Sequence, residues 1–225
     1  FYTAHIPASA SPAPHSPQCN CTDGSTVGPC GGTGVEGGTY VSWSQSPDGP
    51  WTKPLHLFTA DARQSDTNLA PVILPGGKLV GIWRIWLGGS WPHLVTANNW
   101  KDPKSYNWGN TTPSKTSPLF PELGSAGTED PATYLDKKGR FHALFHNMQP
   151  SGNRPATNLG HAYSADGFNW TYTGVCGNSS GTYTDGSSFA FSRRERPHPV
   201  FAADGTTIVA VTNGVLSIAM SGGCQ

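Results

Sequence analysis

Charged residues are concentrated at one point of this otherwise weakly charged sequence. Only 12% of the residues are charged, yet residues 193–196 (RRER) are all charged and lie directly before Pro197. A pair of carboxylates, residues 129–130 (ED), lies before Pro131 in the same way. Guanidinium groups that flank a carboxylate such as Glu195 can hold it ionised for chemistry, or they can form a purely structural salt-bridge knot. The position of both motifs in the fold is therefore the next question.

The motifs belong to an internal repeat, in which each copy has a polar residue, a proline, a glycine turn and an apolar strand. The marker prolines are Pro71, Pro131 and Pro197, which are 60 and then 66 residues apart. A second, hairpin-like unit occurs four times, as YVSWSQSPDGPW, HLVTANNW, HAYSADGFNW and, more weakly, LSIAMSGG. Two such units per period make four strands, which is the size of one β-propeller blade.

The local sequence pattern predicts strands and tight turns rather than helices. Short runs such as KLVGIWRIW and RFHALFH have the composition of strands and are separated by turn dipeptides. The turn dipeptides are Asp48-Gly49, Gly76-Gly77, Lys138-Gly139, Asp166-Gly167 and Asp204-Gly205. We therefore expect an all-β fold. A β-sandwich is the alternative to a propeller, although a sandwich does not require a repeated unit at regular spacing.

The start of the chain departs from the repeat. FYTAHIP aligns with the second strand of a blade, so the first blade is expected to be incomplete. A blade cut there would expose a sheet edge, through which the protein could self-assemble. Residues 7–38 are rich in Cys, Gly and Pro and are expected to form an irregular loop insertion.

Five segments together resemble a known family. SWSQSPDGPW, APVILPGGKLVGIWR, TEDPATYLDKKGRFHALFH, HAYSADGFNW and RRERPHPVFAADG are similar to the five-bladed β-propeller glycosidases, that is, the family 43-like arabinanases and xylosidases and their invertase-like relatives. The resemblance covers roughly residues 40–215. It implies an all-β, five-bladed propeller with about four antiparallel strands per blade, in which residues 1–225 form a single domain.

The resemblance also implies catalytic roles for the carboxylates that precede the prolines. In the family such carboxylates converge at one end of the central channel, where one donates a proton and another acts as base or nucleophile. Carried over to this chain, the catalytic candidates are Glu129, Asp130 and Glu195. The copy that begins at Asn68 lacks a carboxylate before its proline, so the expected set is incomplete there. Because neighbouring residues on a strand face opposite sides, only one of Glu129 and Asp130 is expected to face the channel.

Further residues around these carboxylates are candidates for substrate binding. Arginines beside Glu195 could bind sugar hydroxyls, and one of Arg194 and Arg196 is expected to approach the channel carboxylates. Indole rings near Arg84 could stack on sugars, although core packing is the usual role of such rings. The resemblance also places a histidine beside a calcium or other ion in the channel. The full set of substrate-binding candidates is Arg84, Trp86, His161, Arg194, Arg196 and His198.

The sequons and cysteines predict a secreted glycoprotein. Sequons occur at Asn20, Asn110, Asn169 and Asn178, and a chain with N-linked glycans is expected in an extracellular location. The five cysteines are Cys19, Cys21, Cys30, Cys176 and Cys224. Three of them lie in the 7–38 loop, where at least one disulfide is expected. Because their number is odd, one thiol is left over within this chain.

The composition excludes several classes of partner and leaves two classes of function. Lys and Arg together number 14, as do Asp and Glu, so nothing indicates nucleic acid as a partner. No apolar run is long enough for a membrane span. A secreted glycoside hydrolase-like protein with carbohydrate as its partner is one hypothesis, and a non-catalytic structural, assembly or carbohydrate-binding glycoprotein is the other. Convergence of three carboxylates within about 10 Å would favour the first.

Overall fold

The protein is built from antiparallel β-sheets. The computed structural model describes residues 38–59, 68–86, 90–109, 119–126, 128–148 and 158–217. In these ranges thirteen strands form four sheets, and helical backbone is limited to three short 3-10 segments at Pro75–Gly77, Pro103–Ser105 and Pro121–Ala126. The expectation of an all-β fold is therefore confirmed.

The four sheets follow one another along the chain. Sheet I contains β1 (Gly38–Val41) and β2 (Leu55–Thr59). Sheet II contains β3 (Leu69–Ile73), β4 (Leu79–Trp86), β5 (Ser90–Ala97) and β6 (Tyr106–Asn107). Sheet III contains β7 (Thr128–Leu135), β8 (Phe141–Asn147), β9 (Asn158–Ser164) and β10 (Trp170–Gly177). Sheet IV contains β11 (Ser180–Thr182), β12 (Ser188–Phe201) and β13 (Ile208–Ser217).

Sheets II and III have the four-stranded organisation that the repeat predicts. In each, consecutive strands pair in chain order, so each sheet is a meander that begins with the strand containing the marker proline. The first strands β3 and β7 pack against each other, and β12 packs against β7 on its other side. The three repeated prolines thus lie on three neighbouring strands.

Glycine and aspartate build the turns between the strands. Gly139 and Gly205 have φ values of 74° and 68°, and Gly167 has a φ of 82°, a region that residues with a Cβ rarely adopt. In each of these turns an aspartate Oδ1 accepts two backbone N–H hydrogen bonds; the aspartates are Asp136, Asp166 and Asp204. Hydrogen bonds within the turn hold the pKa of each of these carboxyl groups well below its usual range.

A β-bulge occurs at each carboxylate-containing proline motif. Asp130 and Arg196, which directly precede the prolines, have φ values of 50° and 52°. The strand register shifts after Glu129 in β7 and after Glu195 in β12. The corresponding part of β3 pairs with β4 without a shift. An inserted residue re-aims the side chains that follow it, so these two strands do not alternate regularly at their motifs.

The largest apolar cluster joins sheets II and III. Ile82 from β4 packs with Phe145 from β8 and with Phe120, which lies just before the 3-10 segment at Pro121–Ala126. All three side chains are almost fully buried. This contact holds the two sheets face to face and so fixes the positions of β4 and β7, which both contribute to the site described below.

Replacement of Gly160 by alanine should destabilise this core. Gly160 on β9 pairs with Phe145, and a Cβ added there would overlap the buried ring, with the ring Cζ only 2.8 Å away. We expect Gly160→Ala to lower the free energy of unfolding by about 1–3 kcal/mol, the usual cost of overpacking. Urea denaturation measures this change. Gly214→Ala is the matched control, since the nearest atom to its Cβ is 3.7 Å away; equal stability of the two variants would contradict the prediction.

Several predictions fall outside the described residues. The loop insertion 7–38, with the exception of its last residue, is among them, as are Cys19, Cys21, Cys30, Cys224, Asn20 and Asn110. Among the described residues the thiol of Cys176 on β10 is exposed and free, so the disulfides stay a prediction about cysteines that lie outside those residues. In the part of the chain that the structure describes, no helix has the length and hydrophobicity to span a membrane.

Candidate active site

Three carboxylates and one histidine meet where sheet III contacts sheet IV. Glu129 and Asp130 come from β7, His146 comes from β8 and Glu195 comes from β12. One oxygen or nitrogen atom of each lies within 4.8 Å of the corresponding atoms of the others. The structure thus brings all three catalytic candidates together. The repeat explains this arrangement, because Glu129 and Glu195 occupy the same position in two copies that pack side by side.

The expectation that only one of Glu129 and Asp130 reaches this cluster is wrong. Both side chains contribute an atom to it. The bulge is the physical reason, since the φ of 50° at Asp130 and the shift of register after Glu129 break the alternation of the strand.

Guanidinium groups surround the two glutamates. Arg84 Nη1 lies 2.8 Å from Glu129 Oε1, and both side chains are largely buried, at 4% and 16% exposure. Arg193 Nε lies 2.7 Å from Glu195 Oε2, while Arg196 Nη1 lies 2.7 Å from Glu195 Oε1. Arg193 Nη2 also approaches Glu129 Oε2 at 3.8 Å. Glu195 therefore has an arginine on each oxygen, and Glu129 Oε2 also lies 3.5 Å from His146 Nδ1.

Asn68 occupies the place where the first repeat lacks a carboxylate, and it orients Arg84. The Asn68 side-chain oxygen accepts a hydrogen bond of 3.1 Å from Arg84 Nη1, and its backbone oxygen accepts one of 3.0 Å from the Arg84 amide. Arg84 therefore links an inner strand of sheet II to Glu129 in sheet III. The sequence-based proposal that Arg84 belongs to an aromatic sugar-binding patch did not identify this ion pair.

Asp130 has a different environment from the two glutamates. Its side chain is 9% exposed, and Arg196 Nε lies 3.9 Å from Oδ2. Among the described residues this buried oxygen has no hydrogen-bond partner. Burial, followed by the charge of Glu129, raises the pKa of the Asp130 carboxyl. The surroundings of the Asp130 carboxyl thus favour its protonated form.

His146 also belongs to the site, although it is not among the candidates named from the sequence. Its ring is almost fully buried, and Nδ1 lies 3.5 Å from Glu129 Oε2 and 3.8 Å from Glu195 Oε2. The position follows from strand register, because His146 pairs directly with Glu129. The repeat alignment could have revealed it, since the β8 segment pairs with the motif in a predicted hairpin.

The donor set has the atom types of a cation site but does not fit a metal ion in this arrangement. Carboxylate oxygens suit Ca²⁺ in their chemistry. However, both oxygens of Glu195 and Oε1 of Glu129 already lie 2.7–2.8 Å from guanidinium nitrogens. A divalent ion would have to break these ion pairs and sit beside three arginines. No step below is therefore assigned to a metal.

A cavity of about 320 Å³ lies between β3, β7 and β12, the strands that contain the marker prolines. Three residues from each strand line it: Leu69, Ala70, Pro71, Pro131, Ala132, Thr133, His198, Pro199 and Phe201. The three carboxylates are not among these lining residues, although Pro131 directly follows Asp130 in the chain. His198 is a substrate-binding candidate that the structure places in the lining.

The remaining candidates lie away from the carboxylates. His161 is hydrogen-bonded to His142 at 3.0 Å and to Thr173 at 2.6 Å, and His142 contacts Asp136 in turn, so these groups form a polar row across sheet III. Arg194 donates a 2.7 Å hydrogen bond to the backbone oxygen of Asn178. The side chain of Trp86 is outside the described part of the chain. Of Arg194 and Arg196, it is Arg196 that contacts the carboxylates. Arg193, which was not a candidate from the sequence, contacts them as well.

Comparisons with known proteins identify low similarity only. The sequence matches no family model and no curated protein. A "putative glycoside hydrolase" from Parabacteroides distasonis shares 22% identity over 66% of this chain, with a TM-score of 0.34, and this chain spans 43% of its length. An endo-arabinase from Bacteroides thetaiotaomicron shares 16% identity over 82% of this chain and 67% of its own, with a TM-score of 0.44. Similarity at this level does not assign the chain to a family, and the conclusions that follow rest on the site itself.

Proposed function

We propose that the protein is a glycoside hydrolase-like β-propeller that acts on polysaccharide. The observation that carries this proposal is the convergence of Glu129, Asp130 and Glu195, with Asp130 in surroundings unlike those of the glutamates. Hydrolysis of a glycosidic bond needs one carboxyl group that is protonated and one that is ionised. Environments that separate the pKa values of neighbouring carboxyl groups are how one site supplies both.

The proposed fold is a five-bladed propeller in which sheets I to IV are consecutive blades of one domain. Two observations support it: sheets II and III are four-stranded meanders, and β3 and β12, which contain marker prolines, both pack against β7, which contains the third. Exposed valines on β13, such as Val209 and Val215, would be covered by the next blade. In a propeller the first strands line the central channel, so the site would lie at the channel mouth.

In the proposed reaction Asp130 is the general acid. Its neutral carboxyl would donate a proton to the glycosidic oxygen as the bond to the anomeric carbon breaks. Glu129 would be the base or nucleophile, because it lies beside Asp130 in the cluster and forms an ion pair with the buried Arg84, as an ionised carboxylate does. Glu195, with an arginine on each oxygen, would keep Arg193 and Arg196 in position and add negative charge near the developing oxocarbenium ion.

A second candidate function is a non-catalytic carbohydrate-binding or structural glycoprotein. The arginine network favours it, since Arg84, Arg193 and Arg196 neutralise the two glutamates as a contact between sheets would. In either case we infer a secreted location, because four sequons occur in the sequence. The asparagines of the two described sequons, Asn169 and Asn178, are both exposed, as glycan attachment requires.

The test is hydrolysis by the wild-type chain of a panel of neutral and acidic polysaccharides, followed as reducing ends released. We expect activity on at least one, and its loss in Glu195→Gln, because the amide has no charge to orient Arg193 and Arg196. Glu195 is a suitable position for this substitution because Arg193 and Arg196 are partly exposed. Water can hydrate their guanidinium groups when the charge of Glu195 is removed, so the variant should still fold. Glu122→Gln, an exposed glutamate outside the site, is the matched control. Absence of hydrolysis on the whole panel, with binding retained, would favour the second candidate.

A further inference from the structure

The guanidinium group of Arg196 lies at the outer edge of the carboxylate cluster. Its side chain is 69% exposed, although Nη1 is held 2.7 Å from Glu195 Oε1. A guanidinium group has five N–H donors in a fixed plane. The ion pair between Arg196 Nη1 and Glu195 Oε1 orients the guanidinium group. Because the side chain is largely exposed, other N–H donors of the same group face solvent beside the site.

The backbone at Arg196 is held in an unusual conformation. Its φ of 52° is rare for a residue with a long side chain, and Asp130 has the equivalent position and nearly the same φ in the neighbouring motif. Such conformations tend to occur at functional sites, where a side chain has to be placed against the local preference of the chain. Here the result is that Arg196 and Asp130 approach each other, with 3.9 Å between Nε and Oδ2.

The three arginines of the site differ in how far a ligand can reach them. The side chain of Arg84 is 4% exposed and that of Arg193 is 27% exposed, whereas that of Arg196 is 69% exposed. Arg196 is therefore the guanidinium group of the cluster that an anionic group of a ligand can contact from solvent.

We propose that the site takes acidic sugars, and that the exposed edge of Arg196 binds the carboxylate of a uronic acid or the sulfate of a sulfated sugar. This inference rests on the proposed function for the location of the site and adds the class of substrate. Arginine suits the task because its planar fork matches carboxylate and sulfate oxygens with two parallel hydrogen bonds.

Arg194 provides a matched control on the same strand. Its guanidinium donates to the Asn178 backbone oxygen at 2.7 Å, and no ion pair joins it to the carboxylates in the described structure. Arg194→Gln therefore removes one positive charge from β12 without touching the proposed anion contact. Arg196→Lys keeps the charge but removes the fork.

The experiment is titration calorimetry of the wild-type chain and these variants with three oligosaccharides of equal length. They are an oligogalacturonate, a sulfated galactan fragment and a neutral arabinan fragment. We expect at least one acidic oligosaccharide to bind about 10-fold tighter than the neutral one, and Arg196→Gln to remove that advantage. Arg196→Lys should retain part of the tighter binding of the acidic oligosaccharide, and Arg194→Gln should retain all of it. Binding of the oligogalacturonate indicates recognition of carboxylate, and binding of the sulfated galactan fragment indicates recognition of sulfate.

The outcomes separate this inference from the proposed function. Equal or tighter binding of the neutral fragment, equal losses in Arg194→Gln and Arg196→Gln, or no binding of either acidic fragment would overturn it. Hydrolysis of neutral polysaccharide alone would uphold the proposed function and reject the acidic substrate class. Selective binding of an acidic fragment without any hydrolysis would uphold acidic sugars as the ligand class and reject the proposed hydrolase function.

Discussion

Asp130→Asn is expected to reduce hydrolysis of the best polysaccharide by about 10²–10⁴-fold, the usual contribution of a general acid. Asparagine has nearly the same shape as aspartate but has no carboxyl proton to give to the leaving oxygen. The measurement is the initial rate of reducing-end release at saturating substrate. Asp48→Asn is the control, because Asp48 lies on an exposed turn away from the cluster. Retention of full activity in Asp130→Asn would reject Asp130 as the acid.

The same variant should be at least as stable as the wild type, which separates chemistry from structure. Because burial raises the pKa of Asp130 in the folded state, the folded wild type binds a proton that the unfolded chain releases. Wild-type stability therefore falls as pH rises from the ordinary aspartate pKa, about 3.9, towards the raised value. Asparagine does not ionise and is free of this loss. Urea denaturation at several pH values measures the difference, and a less stable variant at neutral pH would contradict the assignment.

Arg84→Met is expected to lower the free energy of unfolding by about 3–5 kcal/mol, the usual cost of breaking a buried ion pair by removing one partner. Methionine replaces the apolar stem of the arginine but leaves Glu129 Oε1 without its 2.8 Å contact. It also removes the hydrogen bond from Arg84 to the Asn68 side chain, which precedes β3 in the same sheet. Chemical denaturation measures the loss.

Two further variants make this prediction specific. Arg140→Met breaks an ion pair with Asp136 that lies at the surface, so we expect little change in stability. In Arg84→Met combined with Glu129→Gln, no carboxylate is left buried without its cation, and part of the stability should return. If Arg84→Met had as small an effect as Arg140→Met, the pair with Glu129 would not be part of the contact between the sheets.

The strands and turns follow from the local sequence, because their causes are local. Alternating apolar runs match β4, β8 and β9, and the glycines at positions 139, 167 and 205 adopt the positive φ values that the turn dipeptides imply. The repeat spacing also predicts that Glu129 and Glu195 meet, since equivalent positions on adjacent, similarly folded sheets lie close together. All-β class, the four-stranded sheets and the carboxylate pair could thus be predicted from the sequence.

The chemistry of the site depends on contacts that only the tertiary structure creates. The bulge that turns Asp130 into the cluster breaks the two-residue alternation of a strand, and no local pattern marked it. Arg84 reaches Glu129 from another sheet, and His146 is placed by its register with Glu129, whereas His161 bonds to His142 instead. Ion pairs of this kind depend on the packing of sheets that are distant in sequence. The sequence by itself therefore determined that Glu129 and Glu195 meet. The bulge added Asp130, and the packing of the sheets decided which carboxylates have arginines beside them and which is buried without a hydrogen bond to another described residue.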